Sequence, residues 1–184
     1  AELGGQLREL RYTLVKDDNP AAFLASLVER VEGDERVRVY KEAQVGAVSG
    51  VAGQFQTTVG SINNESMGNE QWELEHGAIV VATGGHEITP TEYLYGQNPQ
   101  VVTQRELESL LVESAALLTE KGNPQSKIHN LKSLVMIQCV GSREPERPYC
   151  SRVCCSKAVA NALKIKELNP QANVFVLYRE MRTY

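Results

Sequence analysis

With 184 residues, a formal net charge of −4, 42% hydrophobic and 23% charged residues, the chain can build one large domain or two small ones and lacks the basic excess of a nucleic-acid-binding surface. No apolar run approaches the roughly 18 to 20 residues that cross a bilayer, and AELGGQLREL has neither the basic start nor the apolar middle of a signal peptide, so the expectation is a soluble, cytoplasmic protein. The missing initiator Met and the abrupt end at YREMRTY read as an internal piece of a longer protein.

The first predicted element is a helix over Asn19 to Glu32, capped by Asn19, with Pro20 in its first turn and Phe23, Leu24, Leu27, Val28 and Val31 on one face. VRVY (Val37 to Tyr40), QVGAV (Gln44 to Val48) and FQTTV (Phe55 to Val59) are β-prone runs separated by turns, a strand followed by an antiparallel hairpin or meander. SINNESMGNEQ is a polar turn. WELEHGAIVVATGG starts with alternation and passes into the continuous apolar run Ala78 to Ala82, which predicts a strand buried on both faces and ended by Thr83-Gly84-Gly85.

Further on, Thr103 and Glu106 have capping-box spacing ahead of a helix that Gly122 would stop. The polar stretch NPQSKIHN follows. Then come LVMIQC (Leu134 to Cys139), a loop, a helix from about Ser151 to Leu168, and NVFVLYR (Asn173 to Arg179), together a βαβ unit. The fold class is α/β, in two unequal parts joined near residues 122 to 133. His76 and His129 read as solvent-exposed bystanders.

All four cysteines lie within CVGSREPERPYCSRVCC, as C-x10-C-x3-C-C. In a reducing compartment such a cluster points to metal ligation or redox use; the alternative is that the cysteines are small buried hydrophobes. The spacing matches neither the ferredoxin C-x2-C-x2-C run nor paired zinc knuckles. Cys139 ends a strand, Cys150 lies where the loop meets the helix, and Cys154 is one turn on. Arg143, Arg147, Arg152 and Lys157 are close by in sequence and could offset the charge of four thiolates.

Three stretches, VVATGGHEITPTEYLYGQNPQVVTQRELESLL, MIQCVGSREPERPYCSRVCC and ALKIKELNPQANVFVLYREMRTY, cover more than half of the chain. They resemble the A subunit of heterodisulfide reductase and its relatives, flavoproteins of the pyridine nucleotide-disulfide oxidoreductase class. That resemblance implies an electron-transfer oxidoreductase using FAD and a [4Fe–4S] cluster, active as part of the full-length protein, the isolated piece being inactive. Its partners would be other electron-transfer subunits of heterodisulfide reductase, hydrogenase or dehydrogenase type.

The domains the resemblance implies are a partial FAD-binding, Rossmann-like domain with a β-meander over 1–122, a linker over 123–133, and a second Rossmann-like βαβ unit with the cysteines over 134–184. Ala82, Thr83 and Gly84 look like the ATG motif of the class, Gly4 and Gly5 like a loop passing the flavin's pyrophosphate or ribityl chain, and Val45 like an adenine-contacting position. Cys139, Cys150, Cys154 and Cys155 are implied as the [4Fe–4S] ligands.

Two departures from the family qualify this. No G-x-G-x-x-G occurs in the sequence, so the pyrophosphate loses its principal helix N-terminus and FAD should bind this piece weakly or not at all. SINNESMGNEQW holds no cysteine, so this member has a short version of the stretch near the meander where the family often inserts a ferredoxin-like module. Nucleotide binding at the second βαβ turn is disfavoured by its single glycine, Gly141, although Arg179 and Glu180 stand at the strand end where a ribose-selecting charge would lie. Two alternatives stay open: a zinc-binding structural module using the same four ligands, and a dithiol redox enzyme using Cys154 and Cys155.

Overall fold

The strands form one antiparallel sheet and one parallel pair, and the computed structural model describes residues 2–15, 18–61, 71–119 and 128–183. One compact unit is formed by residues 1–9 and 22–85, the second by 10–21 and 86–184. Residues 86–119 belong to the second unit. The α/β class expected from the sequence holds, with three helices and two small sheets among the described residues.

In the first unit a short 3₁₀ turn, Gly5–Arg8, precedes helix α1, Pro20–Glu32. Strands β1 (Ala43–Val51), β2 (Gln54–Ser61) and β3 (Gln71–His76) form an antiparallel meander in the order β1-β2-β3, with a register break between Val45 and Val48. Alternation places Phe55, Thr57 and Val59 of β2 on the more buried face, opposite His76, Leu74 and Trp72 of β3. Ring contacts reinforce that face: Phe55 stacks on His76 at 5.7 Å and Trp72 meets Tyr40 at 5.4 Å. His76 also bonds Thr57 Oγ1 at 2.7 Å and the Ala78 carbonyl at 3.1 Å. It is a half-buried strand-end tie, where the sequence suggested an exposed bystander.

The tight turn between β1 and β2 depends on glycine. Gly50 has φ +95°, and a Cβ there would fall 2.2 Å from the Gln54 carbonyl oxygen. Gly50→Ala is therefore expected to destabilise this unit by about 1–3 kcal/mol, through left-handed strain and a backbone clash. Urea unfolding followed by Trp72 fluorescence checks this.

Two predicted strands are not formed. VRVY (37–40) runs outside any ladder, and the Ala78 to Ala82 run is exposed, with Val80 88% and Val81 80% accessible. The apolar content is that of a central strand, but a strand exists only through the neighbours that take up its N–H and C=O groups. Among the described residues no strand pairs with this run. The last bond before it is Gly53 N–H to the Gly77 carbonyl at 2.8 Å.

The second unit is built on helix α2 (Gln104–Thr119), strand β4 (Ser133–Ile137), helix α3 (Val153–Leu168) and strand β5 (Asn173–Leu177). The capping box is formed: Thr103 N–H donates to Glu106 Oε2 at 2.6 Å and Glu106 N–H to Thr103 Oγ1 at 3.3 Å. The Gly122 stop lies outside the described residues. Strands β4 and β5 are parallel in the register Ser133↔Asn173 to Ile137↔Leu177, joined by α3 as the βαβ pattern requires.

The core of this unit is Leu107, Leu111, Ile128, Met136, Ala158, Ile165 and Ala172, with α2 packed on α3. Asn169 closes α3. Its side-chain amide donates to the carbonyls of Ile128, His129 and Leu131 at 2.9, 3.1 and 3.0 Å, fastening the helix end to the chain that enters β4.

Candidate functional site

The glycine loops of the first unit come together. Gly4 and Gly5 adopt φ +114° and +47°, Gly84 φ +71°, and the Gln6 side-chain amide donates to the Gly85 carbonyl, tying the two loops. At Gly5 and Gly84 an added Cβ would meet nothing within 4 Å, whereas at Gly4 it would strike the Leu24 side chain. Two left-handed glycines thus border open space on adjoining loops, a surface on which a ligand could approach the backbone closely. Ala82 and Thr83 lie in the exposed run beside them. Val45 is on β1, paired with Val59 and largely exposed, and is not brought to the glycine loops by any hydrogen bond among the described residues.

In the second unit the cysteine loop leaves β4 through a left-handed Cys139 (φ +64°), turns at Gly141 and Arg143, and returns through an antiparallel bridge between Glu144 and Arg147. Arg143 N–H bonds the Tyr149 carbonyl at 3.2 Å, which brings Cys150 back toward the strand end. Gly141 holds φ +65°, and a Cβ there would lie 3.3 Å from the Ile88 side chain, a tight approach that glycine avoids. Arg152, also left-handed, precedes α3, so Cys154 and Cys155 fall in the helix's first turn.

All four thiols are free; Cys139 and Cys155 are buried, Cys150 and Cys154 half-buried. The Cys154 thiol is pushed above its ordinary pKa by burial first, then by the charges that Cys155, Cys139 and Cys150 would carry. Cys154 is thus near enough to each of the other three to feel its charge. Among the described residues, no three His, Cys, Asp or Glu side chains are close enough to hold a metal ion as they stand.

The surroundings suit sulfur. Arg152 N–H donates to Cys150 Sγ at 3.4 Å, and the Cys155 thiol lies 4.0 Å from the Glu180 carbonyl. Arg143 pairs with Glu180, accepts a bond from Arg179 at its carbonyl, and keeps a buried Nη1 with no hydrogen-bond partner among the described residues. Glu180, bonded first by Arg182 and then facing Arg143, is held below the usual carboxylate range. Four cysteine thiols are the donor type that an anionic thiolate-bound centre takes, and Arg143 on the same loop carries a guanidinium nitrogen without a hydrogen-bond partner among the described residues.

Sequence reasoning named the cysteines and Arg143 but missed Gln138. Its buried side-chain amide donates to the Cys154 carbonyl at 3.0 Å, locking the start of α3 to the end of β4. The signal was a lone polar residue in the apolar run LVMIQC. Lys157, expected to compensate the thiolates, gives its ammonium to Glu108 instead, at 2.8 Å.

No protein-family model matches the chain. It is 38% identical over 120 residues to the A subunit of the H(2):CoB-CoM heterodisulfide,ferredoxin reductase of Methanothermobacter thermautotrophicus, covering 62% of this chain and 18% of that protein. To the second iron-sulfur A subunit of the CoB–CoM heterodisulfide reductase of Methanopyrus kandleri it is 39% identical over 117 residues, 61% of this chain and 18% of the other. The corresponding figures for the A subunit of the ferredoxin/F(420)H(2)-dependent CoB-CoM heterodisulfide reductase of Methanosarcina acetivorans are 37% over 123 residues, 61% and 15%. The chain therefore spans less than a fifth of the length of these relatives.

Proposed function

This chain is a homologue of a segment of the heterodisulfide reductase A subunit, and on that premise we propose that it is part of an oxidoreductase that passes electrons between FAD and iron–sulfur centres. Residues 1–122 serve as part of the flavin domain, 123–133 as the linker and 134–184 as the cysteine-bearing unit. The observation that supports the reading is that four free thiols lie on the one loop and helix start between β4 and α3, within the segment-level similarity to the iron-sulfur A subunits.

Cys139, Cys150, Cys154 and Cys155 would hold a [4Fe–4S] centre, which when bound supplies single-electron exchange with a neighbouring flavin. The chain's own part is preparatory. The left-handed turns at Cys139 and Arg152 shape the loop that carries the thiols, Gln138 ties the helix start to the end of β4, the Arg152 N–H bonds the Cys150 sulfur, and Arg143 would supply positive charge. Gly4, Gly5, Ala82, Thr83 and Gly84 would border the flavin, with Val45 toward its adenine.

No helix among the described residues is long and apolar enough to cross a membrane. A cytoplasmic setting among electron-transfer subunits of heterodisulfide reductase, hydrogenase or dehydrogenase type is part of the proposal. Anaerobic reconstitution with iron and sulfide tests it. About four iron per chain, with a broad visible charge-transfer absorption, is expected; zinc retained with no iron uptake would sink the reading in favour of a structural zinc module. Because the sequence has no G-x-G-x-x-G, FAD alone is expected to bind this chain more weakly than about micromolar. A clean one-to-one titration at or below that concentration contradicts the assignment of the glycine loops as an incomplete site.

A further inference from the structure

Helix α3 presents Cys154 and Cys155 in its first turn and, one turn on, a lysine turned into the protein. Lys157 Nζ stands 2.8 Å from Glu108 Oε1, and the two side chains are only 15% and 4% exposed. The same carboxylate oxygen accepts the backbone N–H groups of Arg11 and Tyr12 at 2.9 and 3.4 Å. Lys157 also donates to the Tyr12 carbonyl at 3.4 Å and lies 5.2 Å from the centre of the Tyr12 ring. The Tyr12 hydroxyl donates to Asn161 Oδ1 at 2.7 Å, and the Asn161 amide donates to the carbonyl and the side-chain oxygen of Gln104 at 2.9 and 2.7 Å.

Residues 10–13, α2 and α3 are thus joined through one carboxylate, one ammonium and one carboxamide. A buried ion pair adds little net stability over apolar packing, because desolvation offsets the attraction; what its directional bonds do supply is one defined register. Burial first, and then the Glu108 charge, push the Tyr12 hydroxyl above its ordinary pKa, so it stays a donor to Asn161. The bonds of these groups run to α2 and to residues 10–13, and the cysteines lie at the helix end beyond them.

We infer that Glu108 and Lys157, with Tyr12 and Asn161, are positioning residues that fix the rotation and axial register of α3 on α2, and with them the directions of Cys154 and Cys155. This rests on the reading of the four cysteines as metal ligands. In the metal-free full chain, the alkylation rate of Cys155 relative to Cys139 measures α3 against a thiol at the end of β4. E108Q and K157M are each expected to raise that ratio about tenfold or more by loosening the first turn of α3.

The double variant E108Q/K157M separates position from stability. Lacking an unpaired buried charge, it is expected to regain the parental Tm while keeping the raised ratio. A ratio unchanged in all three variants, one that returns to parental with Tm, or Cys139 and Cys155 accelerating together would each overturn the inference. After anaerobic loading and reduction with dithionite, the variants are expected to hold iron with EPR g-values shifted from the parent's. A parent that takes up no iron defeats the ligand reading, whereas the alkylation ratio of the metal-free chain still decides the positioning.

Discussion

Replacing Cys154 by serine is expected to lower iron uptake on anaerobic reconstitution from about four per chain to about one or none. Cys154 stands in the first turn of α3 next to Cys155, and its half-buried position limits the access of solvent that could substitute for a lost thiolate. A serine hydroxyl has nearly the same shape but does not ionise in this range and is too hard a donor for a sulfide-bridged iron centre. The raised pKa of Cys154 does not oppose this, because a bound cation displaces the thiol proton and favours the charged form. Ser151→Ala, next to Cys150, provides the control: Ser151 Oγ accepts the Val153 N–H at 3.4 Å, a long bond whose loss is expected to leave iron uptake at the parental level. Iron and acid-labile sulfide analysis reads both variants, and parental loading in Cys154→Ser would remove Cys154 from the ligand set.

The features that local chemistry dictates were legible in the sequence. The Thr103 and Glu106 capping box, the meander and the β4–α3–β5 crossover all follow from spacing, turn residues and periodicity, and all formed. The Ala78 to Ala82 run failed for a different reason. Its composition records the environment of a central strand, but the ladder depends on neighbours that periodicity cannot supply. VRVY is a similar case: its β-branched residues fit a strand, and no partner edge pairs with them among the described residues.

The site divides in the same way. Four cysteines in seventeen residues are visible as letters, and the loop that gathers them could be argued from its ends. The left-handed non-glycine residues of that loop, Cys139, Arg143 and Arg152, could not, because such backbone is rare for these residue types and is held by tertiary contacts that the local sequence does not display. The fate of Lys157 was equally hidden. Two residues from a cysteine it looks like a counter-charge, yet Glu108, forty-nine positions away, claims it. Sequence proximity sets which charges are near the site, and tertiary packing sets which are available to it.

Ile165→Ala is expected to destabilise the second unit by about 2–5 kcal/mol, the cost of removing three methyl or methylene groups from a site that cannot collapse around them. Ile165 is fully buried and shares the core with Leu107, Leu111, Met136 and Ala172, so α2, β4 and the entry to β5 all contribute to the packing it would leave incomplete. Leu163, two residues earlier on α3 and 59% exposed, is the reference: Leu163→Ala is expected to change stability by no more than about 0.5 kcal/mol. Guanidinium denaturation of the metal-free chain measures both. Ile165 lies toward the far end of α3 from Cys155, and Asn169 beyond it is pinned to three carbonyls, so the native state of Ile165→Ala should keep the cysteine end in place. The variant is therefore expected to lose stability and still take up the parental complement of iron at low temperature. Parental stability would mean that the core centred on Leu111 and Ile165 does not hold α3. Lost iron uptake in a folded chain would mean that the cysteine end depends on the whole length of the helix and not on its first two turns.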